Sequence, residues 1–196
     1  MTAFVLGNGV SRQGVSVPAL QQQGPVYGCN ALYRDHVPTV LVATDTAIAR
    51  EIQQSGYARD HCFYTRRPLP GSGALAVPRE YFGFSSGPIA VVLAAQQGHD
   101  PIYLLGFDLG PDHRGRFNNC YAGTEFYKPR GSDPTFAGNW VRQLRRVLTD
   151  HVTQQFVRVH GDVTAHIPEL RNVTNLDSIT LQEFLHSINI PEEMLT

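Results

Sequence analysis

Gly7-Asn8-Gly9, Asn30, Asp45, Ser85-Ser86-Gly87 and Asp108 are the residues of this chain whose types suit work on a small charged molecule. A glycine pair lets the backbone turn sharply and come close to a ligand, because no Cβ stands in the way. Asn8, held between the two, can donate to a phosphate or ribose oxygen and accept from a base. Asn tolerates left-handed turns, so a purely structural turn is the competing reading. Asn30 follows Gly9 by 21 positions, about where a Rossmann-type site reads a ribose at the end of its second strand. A neutral amide there tolerates nearby phosphate, although a cap or turn role also suits it. Asp45 can accept from a sugar hydroxyl or cap the helix that begins at Thr46. Ser85-Ser86-Gly87 precedes an apolar helix, whose first N–H groups and positive dipole end favour an anion. Its plainer reading is an N-cap serine.

A second group follows Asp108. His113 has the residue type of a general base near neutral pH, and Asp108 and His113 are the acid/base candidates. Arg116, Tyr121 and Tyr127 lie in a polar stretch that also holds Arg114, Asn118, Asn119, Lys128 and Arg130. Long loops of this kind are often lids or binding loops, and cations and phenols in them suit phosphate or leaving-group contacts. Solvated loop decoration is the alternative. Asp112-His113 offers two candidate metal ligands without a third, so chemistry without a metal and without a tightly bound cofactor is expected. Position 12 holds arginine, which breaks the G-x-G-x-x-G fingerprint and disfavours an NAD site. No G-x-S-x-G, Walker A or H-E-x-x-H sequence is present.

These residues need elements to position them. Ala3 to Leu6, Val26 to Cys29, Thr39 to Ala43, Cys62 to Thr65, Pro101 to Leu105 and Phe156 to His160 read as short strands ending in glycine or polar residues. Between them, Val17 to Gln23, Thr46 to Ser55, Ile89 to Gln97 and Asn139 to His151 read as helices, the last turning Trp140, Val141, Leu144 and Leu148 inward. Arg66 to Val77, rich in proline and glycine, reads as a loop that suits a flap. The alternation predicts an α/β fold: a Rossmann-like parallel sheet with helices on both faces. One domain over residues 1–196 is expected, with an insertion at about 110–133 and a short C-terminal helical tail at Leu181 to Ile188. Ligands of such sheets gather at the carboxyl ends of the strands, where the candidate residues fall.

Composition narrows the partners. With 42% hydrophobic and 17% charged residues the chain is globular in type. A net charge of -1 and a pI near 6.7 give no basic field for polymeric nucleic acid or anionic lipid. No membrane span or signal peptide is read from the chain. Cys29, Cys62 and Cys120 are odd in number and show no C-x-x-C spacing, which fits a reducing cytoplasm. A homo-oligomer stays open.

Leu6-Gly7-Asn8-Gly9-Val10-Ser11, Gly28-Cys29-Asn30, Ser85-Ser86-Gly87 and Tyr103-Leu104-Leu105-Gly106-Phe107-Asp108 stand in the order of motifs in the bacterial lipooligosaccharide sialyltransferases, which this chain resembles over roughly residues 3 to 110. It also resembles the related pterin-pyrophosphokinase-like family. Phe117 to Thr124 is similar to proteins of tailed phages, with a host-cytoplasmic location implied. The resemblance implies a CMP-sugar donor contacted by Asn8, Asn30 and Ser86, with glycosyl transfer to an unknown acceptor. The family's arginine before T-S-G is not matched, Gly83-Phe84 standing there, and Gly110 replaces its tyrosine after G-x-D. Its catalytic-base histidine is missing, since Ser132 to Gly138 contains none. Two alternatives follow: a non-catalytic binding or structural protein that keeps the fold, and a pyrophosphokinase-like enzyme using ATP.

Overall fold

In the computed structural model, which describes residues 1–188, eight parallel strands form one sheet in the order β5-β4-β3-β2-β1-β6-β7-β8. They are β1 (Ala3–Leu6), β2 (Val26–Cys29), β3 (Val40–Ala43), β4 (Phe63–Thr65), β5 (Leu75–Ala76), β6 (Ile102–Leu105), β7 (Phe156–His160) and β8 (Leu176–Thr180). Six α-helices accompany them: α1 (Val17–Gln23), α2 (Thr46–Gln54), α3 (Tyr57–Asp60), α4 (Ser86–Gln96), α5 (Gly138–Asp150) and α6 (Leu181–Ser187). The Rossmann-like α/β expectation is met. The tail beyond Ile188 lies outside the described residues.

Both faces of the sheet are covered because its strands are apolar on both. Along β1, Ala3 and Val5 join one core with α4 and α5, while Phe4 and Leu6 join the other with α1, α2 and α6. Helix α4 is apolar all round, and every residue from Pro88 to Ala95 is buried. It lies between the sheet, where it meets β1, β2, β3 and β6, and α5 on its outer side. Helix α5 instead buries one stripe, Val141, Leu144, Val147 and Leu148. Trp140, expected to turn inward with them, is half-buried and faces a cleft.

Three local expectations are corrected. Leu75–Ala76, read within a loop, pairs with β4 as a two-residue edge strand, its side chains exposed and so lacking any apolar alternation. Leu176–Thr180 carries no strand pattern in its sequence, yet its five residues pair with β7. Its Leu-Asp-Ser-Ile-Thr sequence is exposed or half-exposed along its length, so pairing with a neighbour rather than burial defines it. The helix opened by Ser85-Ser86-Gly87 starts at Ser86 rather than Ile89, because Pro88 fits within a first turn that has no need of its N–H.

Strand order reverses direction between β1 and β6. Chain progress runs outward from β1 through β2, β3, β4 and β5 on one side and from β6 through β7 and β8 on the other. At such a switch point the connections leave in opposite directions and open a crevice at the carboxyl ends of the strands. Gly7-Asn8-Gly9 follows β1 and Gly106-Phe107-Asp108 follows β6, so the two loops lie side by side at its floor.

Candidate functional site

The two loops are packed backbone to backbone. Gly7 N–H donates to Leu105 O at 2.8 Å and Gly9 N–H to Gly106 O at 2.9 Å. A Cβ on Gly7 would stand 2.5 Å from Gly106 O, and one on Gly9 would stand 2.6 Å from Gly106 O and against the Asp108 carboxylate. Neither glycine is among the positive-φ residues, and Gly9 has a φ of -64°. Their missing side chains therefore admit the β6 loop, a structural role that the close packing of the two loops requires. Gly106, at φ 68°, is the glycine whose backbone needs the left-handed region.

Two buried arginines hold these loops from behind. Arg12 donates through Nε to Gly7 O at 2.6 Å and lies 3.3 Å from Tyr121 Oη. Arg158, 3% exposed on β7, donates to Phe107 O from Nε at 3.0 Å and from a terminal nitrogen at 2.7 Å, and reaches Asp108 O and Ala165 O. Burial pulls its guanidinium below the ordinary value, to about 10, while the Asp108 carboxylate pulls the other way. It remains a cation at neutral pH. Neither arginine forms an ion pair among the described residues, so both place positive charge behind the crevice floor.

The cleft has a volume of about 240 Å³. Gly7, Asn8, Gly9, Asn30, Asp45, Ser85, Ser86, Gly87 and Asp108 all line it, so residues from five separate stretches meet as expected. Asn30 takes a left-handed φ of 52° at the end of β2, where it opens a 3₁₀ turn. Its turn role and its place in the cleft are compatible. Ser86, 3% exposed, accepts the Thr44 N–H at 3.0 Å and donates to Asn30 Oδ1 at 2.9 Å. Its hydroxyl is spent within the protein, and the Asn30 amide nitrogen is what remains for a ligand. Asn8 is held by longer contacts, Nδ2 to Tyr127 Oη at 3.4 Å and Oδ1 from Arg12 at 3.5 Å, which orient the amide without satisfying it.

The start of α4 enters the cleft through Ser85, Ser86 and Gly87. Gln143 Oε1 takes the Ser85 N–H at 2.8 Å, which leaves the N–H groups of Ser86 and Gly87 at the positive helix end. Ser85 is the N-cap residue by backbone, but its side chain makes no cap bond. Asp45 occupies the same place on α2, is exposed and likewise makes no cap bond, so its carboxylate stays available at the cleft rim.

Asp108 and His113 do not form an acid/base pair. Asp108, 3% exposed, accepts from Ser11 N at 3.1 Å, Asn118 Nδ2 at 3.1 Å, Thr164 Oγ1 at 3.2 Å and, more closely, Ser11 Oγ. A carboxylate with four donors ties the β1, β6 and β7 loops together, and both its oxygens are occupied within the protein. His113 is exposed in a turn and does not line the cleft. Arg116 also lies outside, bound to Asp133 at 3.1 Å with its side chain 51% exposed. Tyr121 is buried and Tyr127 half-buried behind the Asn8 loop, where burial pushes both phenols up and keeps them neutral. Tyr127 Oη accepts from Ala31 N at 3.3 Å as well as from Asn8. These tyrosines position the loop and do not line the cleft.

The insertion is therefore a fixed wall instead of a lid. Cys120 N–H donates to Asn8 O at 2.7 Å, and Asn118 Oδ1 accepts from Val10 N at 2.9 Å. Asn118 and Asn119 line the cleft, and sequence reasoning placed them only in a polar stretch. Trp140, Leu144, Pro88, Phe107 and Leu109 add an apolar wall that the sequence did not single out. The signal available for Trp140 was its place in the first turn of an amphipathic helix, just after a long loop. Cys29 also lines the cleft, but burial pushes its thiol up to about 12 and its Sγ donates to Leu6 O, so it is no nucleophile.

Among the described residues no three of His, Cys, Asp and Glu gather as a metal site, and no helix is long and apolar enough to cross a membrane. Fold and cleft together define a Rossmann-like α/β protein with a strand-end cleft at a topological switch point. No family model matches the chain, and neither a curated protein nor a solved structure matches it.

Proposed function

We propose that the cleft binds a nucleotide or a nucleotide-activated sugar of the CMP-sugar type, and that the chain is a transferase-like enzyme moving the glycosyl group to an acceptor. The observation that carries this reading is the meeting of one polar wall, Asn8, Asn30, Asn118 and Asn119, with the apolar wall of Trp140 at the open start of α4. A base stacks on an indole and is read by amides, while a phosphate takes helix N–H groups. The broken NAD fingerprint favours a mononucleotide portion over a dinucleotide. Asp45 is the cleft carboxylate without internal partners, and in this reading it replaces Asp108 and His113 as the base that takes the acceptor's hydroxyl proton. A cytoplasmic location goes with a soluble nucleotide donor.

Trp140 is the chain's one tryptophan, so its fluorescence reports directly on the cleft. Titration with CMP, CMP-sugar and other nucleotides is expected to change the emission saturably, with calorimetry giving the affinity. Absence of binding by all of them removes the reading.

A second reading, a non-catalytic binding module, is favoured by one specific observation: the Asp108 carboxylate is saturated and no histidine lines the cleft. Donor hydrolysis separates the two. Turnover that is lost in Asp45→Asn supports the enzyme, and binding without turnover supports the module.

A further inference from the structure

A second cleft, of about 290 Å³, opens beside the first at the carboxyl ends of β3 and β4. Thr44 lines it, whereas the next residue, Asp45, lines the first cleft, so the chain at the end of β3 divides the two. Arg50 of α2 and Arg66 and Arg67 after β4 all line this second cleft, with no Asp or Glu among its lining residues. None of the three arginines forms an ion pair among the described residues. Arg66 donates a terminal N–H to Phe84 O at 2.8 Å, but its Nε is buried and has no partner. A buried guanidinium N–H without an acceptor is costly, and an anion seated in the cleft would supply the acceptor.

The remaining lining explains what would carry that anion. Leu69 and Phe82, 36% and 47% exposed, are apolar side chains left in contact with solvent at the same cleft. Three cations beside two exposed apolar side chains match a molecule with an anionic group at one end and a ring-sized apolar body at the other. We propose that this second cleft is a binding site for a small organic phosphate of that kind, separate from the strand-switch cleft. The inference stands on these residues alone and does not require the nucleotide reading.

The test uses the full chain and phenyl phosphate as the probe, with inorganic phosphate and phenol as the arms that carry only the charge or only the ring. Backbone-amide chemical shifts map the position, and calorimetry gives the affinity. Phenyl phosphate is expected to shift Arg66, Arg67 and Gly83 and to bind about tenfold or more tightly than either arm, the ratio that one charge-assisted contact accounts for against phenol and burial of the ring accounts for against inorganic phosphate. Arg50→Gln, on the exposed side of α2, is expected to weaken it several-fold without disturbing the fold, and Arg66→Gln more strongly. Asn30→Ala, in the first cleft, is expected to leave it unchanged. Lack of binding, shifts centred on Trp140, or equal affinity in wild type and both arginine variants would overturn the proposal.

Discussion

The Ser86 hydroxyl stands 2.9 Å from Asn30 Oδ1, joining the first turn of α4 to the end of β2 across the cleft. The same hydroxyl accepts the Thr44 N–H at the end of β3. One buried oxygen thus sets the position of the α4 start relative to the ends of β2 and β3.

Ser86→Ala leaves the Thr44 N–H buried and unpaired, and a loss of about 1–3 kcal/mol in unfolding free energy is expected. Asn30 also loses its orientation, so CMP affinity is expected to fall in the same variant. Chemical denaturation followed by tryptophan titration of the folded protein measures both. Unchanged CMP affinity would show that Asn30 does not depend on Ser86.

Asn8 and Asn30 act on the ligand in the proposed function, while Tyr127 acts through Asn8. Asn30→Ala is expected to weaken CMP about tenfold, the effect of one lost hydrogen bond to a charged or polar ligand, and to cost about 1–2 kcal/mol in stability, because the buried Ser86 hydroxyl loses its acceptor and alanine takes a left-handed backbone. Tyr127→Phe removes an acceptor from both Ala31 N and Asn8 Nδ2. It is expected to cost about 1 kcal/mol in stability and to weaken CMP less than Asn30→Ala does. Equal losses of affinity in the two variants would contradict this division of roles.

Gly9→Ala tests why the glycines are there. The added Cβ would press on Gly106 O and the Asp108 carboxylate, so a destabilisation of about 1–3 kcal/mol is expected even without ligand. Were the glycine present for ligand approach, stability would be untouched and CMP affinity alone would fall. Thermal unfolding of the ligand-free variant decides.

Arg158 clamps three carbonyl groups with a planar fork of donors, a geometry lysine cannot reproduce. Arg158→Lys keeps the charge yet is expected to lose on the order of 2–3 kcal/mol, since buried carbonyls are left unpaired. Full stability in Arg158→Lys would show that charge alone holds the loop.

His160, at the end of β7, has a buried and unpartnered Nε2, and burial, together with Arg158 and His166, lowers its pKa from 6.5. The folded state therefore binds this proton less readily than the unfolded chain. Its contribution to stability is complete above pH 6.5 and is lost as pH falls through the lowered folded value. Stability is expected to rise with pH across that window, and the slope to shrink in His160→Gln. Titration of the His160 ring by NMR, with a midpoint below 6.5 in the folded protein, checks the sign.

Much of this arrangement is legible in the residues themselves. Short apolar runs broken by glycine or polar residues mark β1, β2, β3, β6 and β7, because strands buried on both faces must be continuously apolar. The strand-end positions of Asn8, Asn30, Asp45 and Ser86 follow from the same breaks. β5 and β8 escaped because their side chains are exposed and backbone pairing alone defines them.

Which strand ends share a crevice, and which polar groups in it remain unspent, depends on contacts between residues far apart in the chain. Asp108 and Ser86 have the residue types of site groups, but Ser11, Asn118 and Thr164 consume the carboxylate, and Thr44 and Asn30 consume the hydroxyl. Trp140, by contrast, reads as a core residue until the β6–α5 connection is seen to leave it at the cleft. Apolar patterning is a local property that burial enforces along each segment, whereas hydrogen-bond saturation is settled only by the partners that folding brings within about 3 Å.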